Sequence, residues 1–216
     1  MRRHFIEEAI KRAEVDEYLA RELERAGYGG IEVTKAPLGT HVTIYATRPG
    51  LVIGKGGDTI KELTATLEEK FSLPNPQISV VEMEIPEVNP HVMATRIADA
   101  LKRGVHFRRV GFWALQKIMD AGAIGAEIRI KGKLRTKKTR FEKYKAGYVP
   151  KTGEDVTTQV LRATVNVDLV PGTVGIEVVI VPPGSKFADY PERAEKKEVS
   201  VELEEGGGTK EGEGEG

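Results

Sequence analysis

The chain has 216 residues, of which 39% are apolar, and it contains no cysteine. A disulfide framework, a thiol nucleophile and a cysteine zinc site are therefore excluded. The formal net charge is zero, with 33 basic and 33 acidic residues, but the charges are unevenly distributed. Residues 101–151 carry 15 basic and 3 acidic side chains, whereas residues 183–216 carry 5 basic and 10 acidic ones. This asymmetry favours a polyanionic partner for the basic segment.

The sequence contains no apolar run long enough for a transmembrane helix, and its first residues, MRRHF, lead into a charged helix without an apolar signal segment. We therefore expect a cytoplasmic protein with no membrane partner.

The first half of the chain predicts a helix, two strands, a glycine loop, a second helix and a third strand. Apolar residues recur at helical spacing from Ile6 to Ala26, and Gly27, Gly29 and Gly30 are expected to end this helix. The strands are predicted at 31–35, 41–47 and 77–85, and the second helix at 58–70. Together these elements form a predicted first domain over residues 1–86.

The second half predicts two helices followed by an antiparallel sheet. Apolar residues at helical spacing surround Ile97 and Ile118, and strands are predicted at 124–133, 161–169 and 174–180. In the first of these strands apolar residues alternate with Arg129, Lys131 and Lys133, which predicts one core face and one cationic face. The second domain is predicted over residues 87–182. Residues 183–216 have too few apolar residues to fold and are expected to be a disordered acidic tail. The fold class is therefore α+β with two domains.

The most distinctive motif is the glycine loop, in residues 51–60, which read LVIGKGGDTI. Gly54 and Gly57 lack a Cβ where a backbone must approach closely, and the helix that follows offers free N–H groups to an anion. Lys55 and Gly56 complete a GxxG pattern, which clamps the backbone of single-stranded RNA in KH domains. Gly54, Lys55, Gly56 and Gly57 are therefore predicted to bind RNA.

The glycine loop has two other possible interpretations, a P-loop and a turn without a ligand. A P-loop needs four residues between its glycines and then Lys-Ser or Lys-Thr, whereas Gly50 and Gly54 are separated by three and Gly56 takes the hydroxyl position. An ATPase is therefore disfavoured. A glycine-rich turn without a ligand remains the simpler alternative, but the position of the loop before an amphipathic helix favours a KH domain.

A second motif is the basic loop between residues 131 and 145, where only Glu142 interrupts the cations. Such density costs folding energy unless a polyanion relieves the repulsion, and the interleaved aromatics offer stacking surfaces. We expect this loop to be extended and to become ordered on RNA, rather than to serve solubility alone. The predicted ribosomal RNA contacts are Lys131, Lys133, Arg135, Lys137, Lys138, Arg140, Lys143 and Lys145.

The order of these motifs resembles the small-subunit ribosomal protein S-three family, in its archaeal form. The resemblance rests on residues 46–57, 107–109, 130–134, 144–150 and 175–181, and it covers nearly the whole chain up to about residue 182. It implies a type II KH domain, followed by a second α/β domain, on the head of the small subunit. The implied partners are ribosomal RNA, messenger RNA and neighbouring head proteins, and the implied location is the ribosome.

In that family a basic helix start grips messenger RNA where it enters the subunit, and by position Arg108 and Arg109 would have this role. Bacterial relatives have a third basic residue one turn later, where this chain has Phe112. The alternative function is a free-standing KH regulator of messenger RNA. An enzyme is not predicted, because no lysine lies in an evidently apolar segment and the four histidines are scattered. No metal, cofactor or small-molecule substrate is expected.

Overall fold

The computed structural model describes residues 2–36, 39–71, 73–134, 138–185 and 187. Its first half contains α1 (Arg2–Glu22), β1 (Tyr28–Ala36), β2 (Gly39–Ala46), α2 (Pro49–Ile53), α3 (Asp58–Phe71) and β3 (Pro76–Glu82). Its second half contains α4 (Pro90–Lys102), α5 (Phe107–Asp120), β4 (Gly125–Gly132), β5 (Arg140–Gly147), α6 (Glu154–Gln159), β6 (Leu161–Leu169) and β7 (Gly172–Val181). These elements confirm the predicted α+β class. Most of the predicted acidic tail, residues 188–216, lies outside the described residues.

The first sheet has the strand order β1-β2-β3. β1 runs antiparallel to β2, with Val33 opposite Val42, whereas β2 and β3 are parallel. Parallel neighbours need a crossover, which α2 and α3 provide. Leu19 of α1, Ile44 of β2 and Leu67 of α3 are fully buried in the same core. The connection between α2 and α3, which contains the glycine loop, lies at the surface of this half.

The sequence predicted that the glycine loop directly follows a strand. In the structure, helix α2 lies between β2 and the loop. This helix begins with Pro49, whose missing N–H and fixed φ suit the first helical position. It buries Val52 and leaves Leu51 and Ile53 about half exposed. Five residues are too few for a helical apolar period, so the helix could not be found from periodicity.

The ends of α1 also differ from the prediction. Ile6 and Ile10 are 59% and 52% exposed, so only the later part of the helix, from Val15, contributes to the core. Gly27, with φ +72°, follows a short 3-10 turn after α1, whereas Gly29 lies inside β1, where an added Cβ would lie 2.4 Å from Sδ of Met83. In the described part of the chain no helix has both the length and the apolarity needed to cross a membrane.

The second sheet has the order β5-β4-β7-β6, and each neighbouring pair is antiparallel. Helices α4 and α5 cover one face, where Ile97, Ile118, Ile128 and Ile176 are fully buried. The prediction of two helices on an antiparallel sheet is confirmed. The predicted alternation in β4 is also present, since Ala126, Ile128 and Ile130 have no exposed surface.

The prediction that the basic loop becomes ordered only on RNA is wrong for residues 131–132, which end β4, and for residues 140–145, which lie in β5. β5 is an edge strand paired with β4 over its whole length. The ring of Tyr144 packs so closely on α5 that a Cβ at Gly111 would lie 2.5 Å from it. It also contacts Phe112 edge to face, with the ring centroids 5.2 Å apart. Strand pairing and this aromatic contact order the segment without a ligand.

The two sheets are joined through the start of α4, and both belong to one compact unit, Met1–Ser185. The Asn89 side chain accepts hydrogen bonds from the His91 and Val92 N–H groups and so caps α4. Its Nδ2 also donates to the Gly29 carbonyl of β1 at 2.8 Å. The His91 ring donates from Nδ1 to the Tyr28 carbonyl at 3.1 Å. The predicted boundary at residue 86 stays a prediction.

Candidate nucleic-acid interface

The glycine loop has a backbone that favours glycine at three of its four positions. Gly54, Gly56 and Gly57 have φ values of +74°, +63° and +84°, which side chains other than glycine rarely adopt. At Gly54 an added Cβ would also lie 2.1 Å from Oγ1 and 2.8 Å from Cβ of Thr59. At Gly56 the space is open, so only the backbone conformation requires glycine there. The loop therefore folds back tightly onto the first turn of α3.

The glycine loop is open to solvent. Lys55 and Gly56 are exposed, and no carboxylate of a described residue forms an ion pair with Lys55. The first N–H groups of the 14-residue helix α3 lie next to the loop, although Asp58 in its first turn opposes part of their positive field. Leu51 and Ile53 add apolar surface beside the loop. This combination suits a ligand that has both phosphates and apolar rings.

The outer face of the second sheet, away from α4 and α5, has cations gathered around a buried carboxylate. The Glu127 side chain has no exposed surface, and it accepts hydrogen bonds at 2.6 Å from Lys151 Nζ and from Arg129 Nε. Lys143 Nζ lies 3.3 Å away. Burial raises the pKa of this carboxyl, but the three cations overcome the effect and hold the pKa of Glu127 at about 2.

A second carboxylate on the same face, Glu177, is only 13% exposed. It lies 3.2 Å from Lys131 Nζ, 3.3 Å from Arg162 and 3.4 Å from Arg129. Burial acts to raise the pKa of Glu177, but the Lys131 hydrogen bond and the neighbouring cations lower it below its usual value. Five cations of this face thus share two carboxylates, so the face stays positive, but Lys131 and Lys143 already have carboxylate partners.

The remaining predicted cations of the basic segment differ in their availability. Lys133, Arg140 and Lys145 are exposed, and no carboxylate of a described residue pairs with them. Lys138 is exposed and has a contact within the protein. Arg135 and Lys137 lie outside the described residues. Among the aromatic residues, Phe141 is 70% exposed and available for stacking, whereas Tyr144 is buried.

Arg108 and Arg109 lie in the first turn of α5, where the helix dipole disfavours positive charge. The His106 ring caps this helix by accepting a hydrogen bond from the Arg108 N–H. Both arginines are exposed but point to different surfaces: Arg108 lies 5.8 Å from the centroid of the Phe107 ring, and Arg109 lines a cleft. Two cations are thus held where an anionic ligand would relieve their unfavourable position.

This cleft was not predicted from the sequence. It has a volume of about 920 Å³ and brings together residues from α4, α5 and the segment before α2. Its lining residues are Arg48, Arg96, Asp99, Ala100, Lys102, Arg103, Val105, Arg109, Val110 and Trp113. Arg96 on α4 and Arg103 directly after it are seven positions apart, a helical spacing that was visible in the sequence and places them on one side. The approach of Arg48 from the other half of the chain was not.

Two family models match the chain. Residues 14–89 match the family described as KH domain, and residues 97–180 match the one described as ribosomal protein S3, C-terminal domain. Similar proteins include the small ribosomal subunit protein uS3 of Methanobrevibacter smithii, which is 46% identical over 201 residues, 93% of this chain and 80% of the relative. The uS3 of Ignicoccus hospitalis is 49% identical over 83% of this chain and 75% of its own length. The uS3 of Sulfolobus acidocaldarius is 45% identical over 96% and 88%.

Proposed function

Because the chain belongs to the uS3 family of small ribosomal subunit proteins, we propose that it is a structural constituent of the small ribosomal subunit that binds ribosomal RNA. The family is one of structural ribosomal proteins, in agreement with the prediction that the chain is not an enzyme. The observation that supports RNA binding best is an open glycine loop together with exposed cations that no described carboxylate neutralises. Both features suit a phosphodiester backbone.

Three exposed cations of the basic segment are the strongest candidates for ribosomal RNA contacts: Lys133, Arg140 and Lys145. The exposed Phe141 ring, which follows Arg140 on β5 and is on the same face of the strand as Lys145, offers a stacking surface. Lys131 and Lys143 remain part of the proposal, but each would have to exchange a carboxylate partner for a phosphate. A contact of that kind contributes less net free energy, since one ion pair replaces another.

Arg108 and Arg109 are proposed to contact messenger RNA where it enters the subunit. Their place in the first turn of α5 supports this role, because a polyanion removes the penalty of two cations at the positive end of a helix dipole. The exposed Ile6 and Ile10 of α1 offer an apolar surface for a neighbouring protein of the subunit head. The cellular location that follows is the cytoplasmic ribosome.

Sedimentation tests the proposal directly. The tagged full chain is expected to sediment with small ribosomal subunits through a high-salt gradient, because it is an integral part of the particle. A chain that is released by salt yet still binds free messenger RNA would instead be a free-standing KH regulator, and the ribosomal proposal would be wrong.

The glycine loop can be tested by adding a negative charge to it. Gly57→Asp is expected to weaken binding of single-stranded RNA, because its carboxylate would repel phosphates at the loop. Gly122→Asp is a matched control: Gly122 also has a positive φ, +88°, and open space around it, but it lies between α5 and β4. Equal affinities of the two variants, measured by filter binding, would remove the loop from the RNA interface.

A further inference from the structure

We propose that the cleft between α4, α5 and Arg48 holds a segment of single-stranded RNA, with its phosphates on three arginines and a base against Trp113. The proposal rests on the proposed RNA-binding function and adds a site to it. The residues concerned are Arg48, Arg103, Arg109 and Trp113. None of these except Arg109 was predicted to contact RNA.

The cleft is lined by more cations than carboxylates. Four arginines and one lysine line it, together with a single acidic residue, Asp99. Two of the cations have carboxylate partners, since Arg96 lies 2.8 Å from Glu87 and Lys102 lies 2.9 Å from Glu24. No carboxylate of a described residue forms an ion pair with Arg48, Arg103 or Arg109. The Arg103 guanidinium donates a hydrogen bond from Nε to the Asp99 backbone carbonyl at 3.2 Å, which leaves its charge uncompensated. A concave surface with three guanidinium groups that no described carboxylate neutralises concentrates the positive field and attracts phosphate.

Trp113 provides an aromatic surface for a base beside the arginines. It is 43% exposed, a large fraction for an indole, and it lines the same cleft as Arg109. The two residues are four positions apart on α5, so their side chains are neighbours on one helix face. Val105, 38% exposed, adds apolar surface. An aromatic face beside guanidinium groups is the arrangement that binds unstacked bases and their backbone together.

The position of Arg48 connects the cleft to the glycine loop. Arg48 directly precedes α2, and α2 ends at the residue before Gly54. A five-residue helix is only about 7 Å long, so the two places are separated by little more than one helical turn. One strand held at the glycine loop could therefore continue into the cleft.

A single strand fits these features better than a duplex or an acidic polypeptide. The bases of a duplex are stacked on each other and leave no free face for Trp113. An acidic polypeptide would satisfy the arginines but has no ring to place on the indole. The features thus favour a ligand in which charge and flat rings alternate.

Trp113 is the only tryptophan of the chain, so its fluorescence reports directly on the cleft. Titration of the full chain with a short oligouridylate is expected to quench this emission saturably. Oligouridylate that binds the chain, as shown by filter retention, but leaves the emission unchanged would overturn the cleft site and leave the proposed function intact. A chain that retains neither oligouridylate nor small-subunit RNA would overturn the proposed function itself.

Variants separate charge from stacking. Arg48→Gln with Arg103→Gln should lower the salt slope of oligouridylate binding by about 1.4, because two phosphate contacts are lost. Lys11→Gln with Arg12→Gln, exposed on α1 and outside the cleft, removes the same charge and should leave the slope nearly unchanged. An equal decrease in both double variants would overturn the assignment.

The indole is tested with labelled oligouridylate. Trp113→Leu is expected to weaken binding roughly tenfold, whereas Trp113→Phe should retain most of the affinity because it keeps an aromatic face. Equal losses in both variants would contradict stacking. Quenching of wild-type Trp113 by polyglutamate as strong as that by oligouridylate would identify an acidic polypeptide as the occupant and overturn the RNA proposal.

Discussion

The outer face of the second sheet and the cleft both gather cations, but the two surfaces pair them differently. On the sheet, Glu127 and Glu177 are shared by five cations, whereas Lys145, opposite Glu127 on the same face, has no described carboxylate partner. The five are Arg129, Lys131, Lys143, Lys151 and Arg162. In the cleft, Glu87 and Glu24 pair with one cation each, and three arginines have no described carboxylate partner. The number of lysines and arginines on a surface therefore does not tell how many of them are available to a phosphate, because that depends on which carboxylates the fold brings among them.

Removing the carboxylate at the centre of the sheet face should have the largest effect. Glu127→Gln keeps the shape of the side chain but leaves Arg129, Lys143 and Lys151 without their shared partner. We expect the free energy of unfolding to fall by about 2 to 3 kcal/mol. This is less than for a fully buried ion pair, because the side chains of the three cations are partly exposed and stay hydrated. Urea unfolding measures this change, and Glu142→Gln on β5 is a control with little expected effect. A loss below about 1 kcal/mol would show that Glu127 is not the centre of this face.

Acid should remove the same interaction gradually. The pKa of Glu127 is lowered from 4.5 to about 2, so its contribution to stability is present above pH 4.5 and is lost as the pH falls toward 2. A shift of this size corresponds to about 3 kcal/mol. The difference in unfolding free energy between wild type and Glu127→Gln should therefore shrink across that interval. A difference that stays constant from neutral pH to pH 2 would contradict the assigned pKa.

The cleft can be converted into a surface like the sheet face by giving it a carboxylate. Val105→Glu places one at the cleft wall, where it can neutralise a neighbouring arginine. We expect affinity for oligouridylate to fall several-fold, on the order of 1 kcal/mol, and the salt slope to decrease. Val105→Gln is the matched uncharged control. Similar affinities for the two variants would mean that the unpaired arginines do not determine binding.

Within the basic segment the expected differences are smallest and concern the salt slope alone. Alanine at Lys133, Arg140 and Lys145 should lower the salt slope of ribosomal RNA binding by about 2, because each of the three lost phosphate contacts accounts for about 0.7. Alanine at Lys131 and Lys143 should change it little, since their charges are already compensated by Glu177 and Glu127. Equal decreases would show that these ion pairs open when RNA binds.

Most of the fold was predictable because it follows apolar periodicity. The alternation of Ala126, Ile128 and Ile130 identified β4 and its buried face. β5 was missed because the inner face of this edge strand offers only Tyr144 and Ala146, whereas its register with β4 and the cover by α5 depend on residues distant in sequence. Helix α2 was missed because five residues show no period.

The residues of the candidate site were predictable from the sequence, but the ion pairs between them were not. The glycine loop and the cation count are local properties of the sequence. The contact of Glu127 with Lys151 joins residues 24 positions apart, and no local pattern indicates it. The approach of Arg48 to α4 and α5 likewise depends on how the two halves pack. Sequence therefore predicted how many cations the chain has, and tertiary structure decided which of them are available.

The Asn89 side chain fixes the orientation of the two halves relative to each other. It caps α4 with one end and holds the Gly29 carbonyl with the other, so any rotation of the halves would cost the helix its cap as well as the link. The spacing between the glycine loop and the arginines of the cleft is thereby set before a nucleic acid arrives. An RNA strand that spans both places would bind two sites held at a fixed distance. The protein would then lose little conformational entropy on binding, because the two sites were already aligned when it folded.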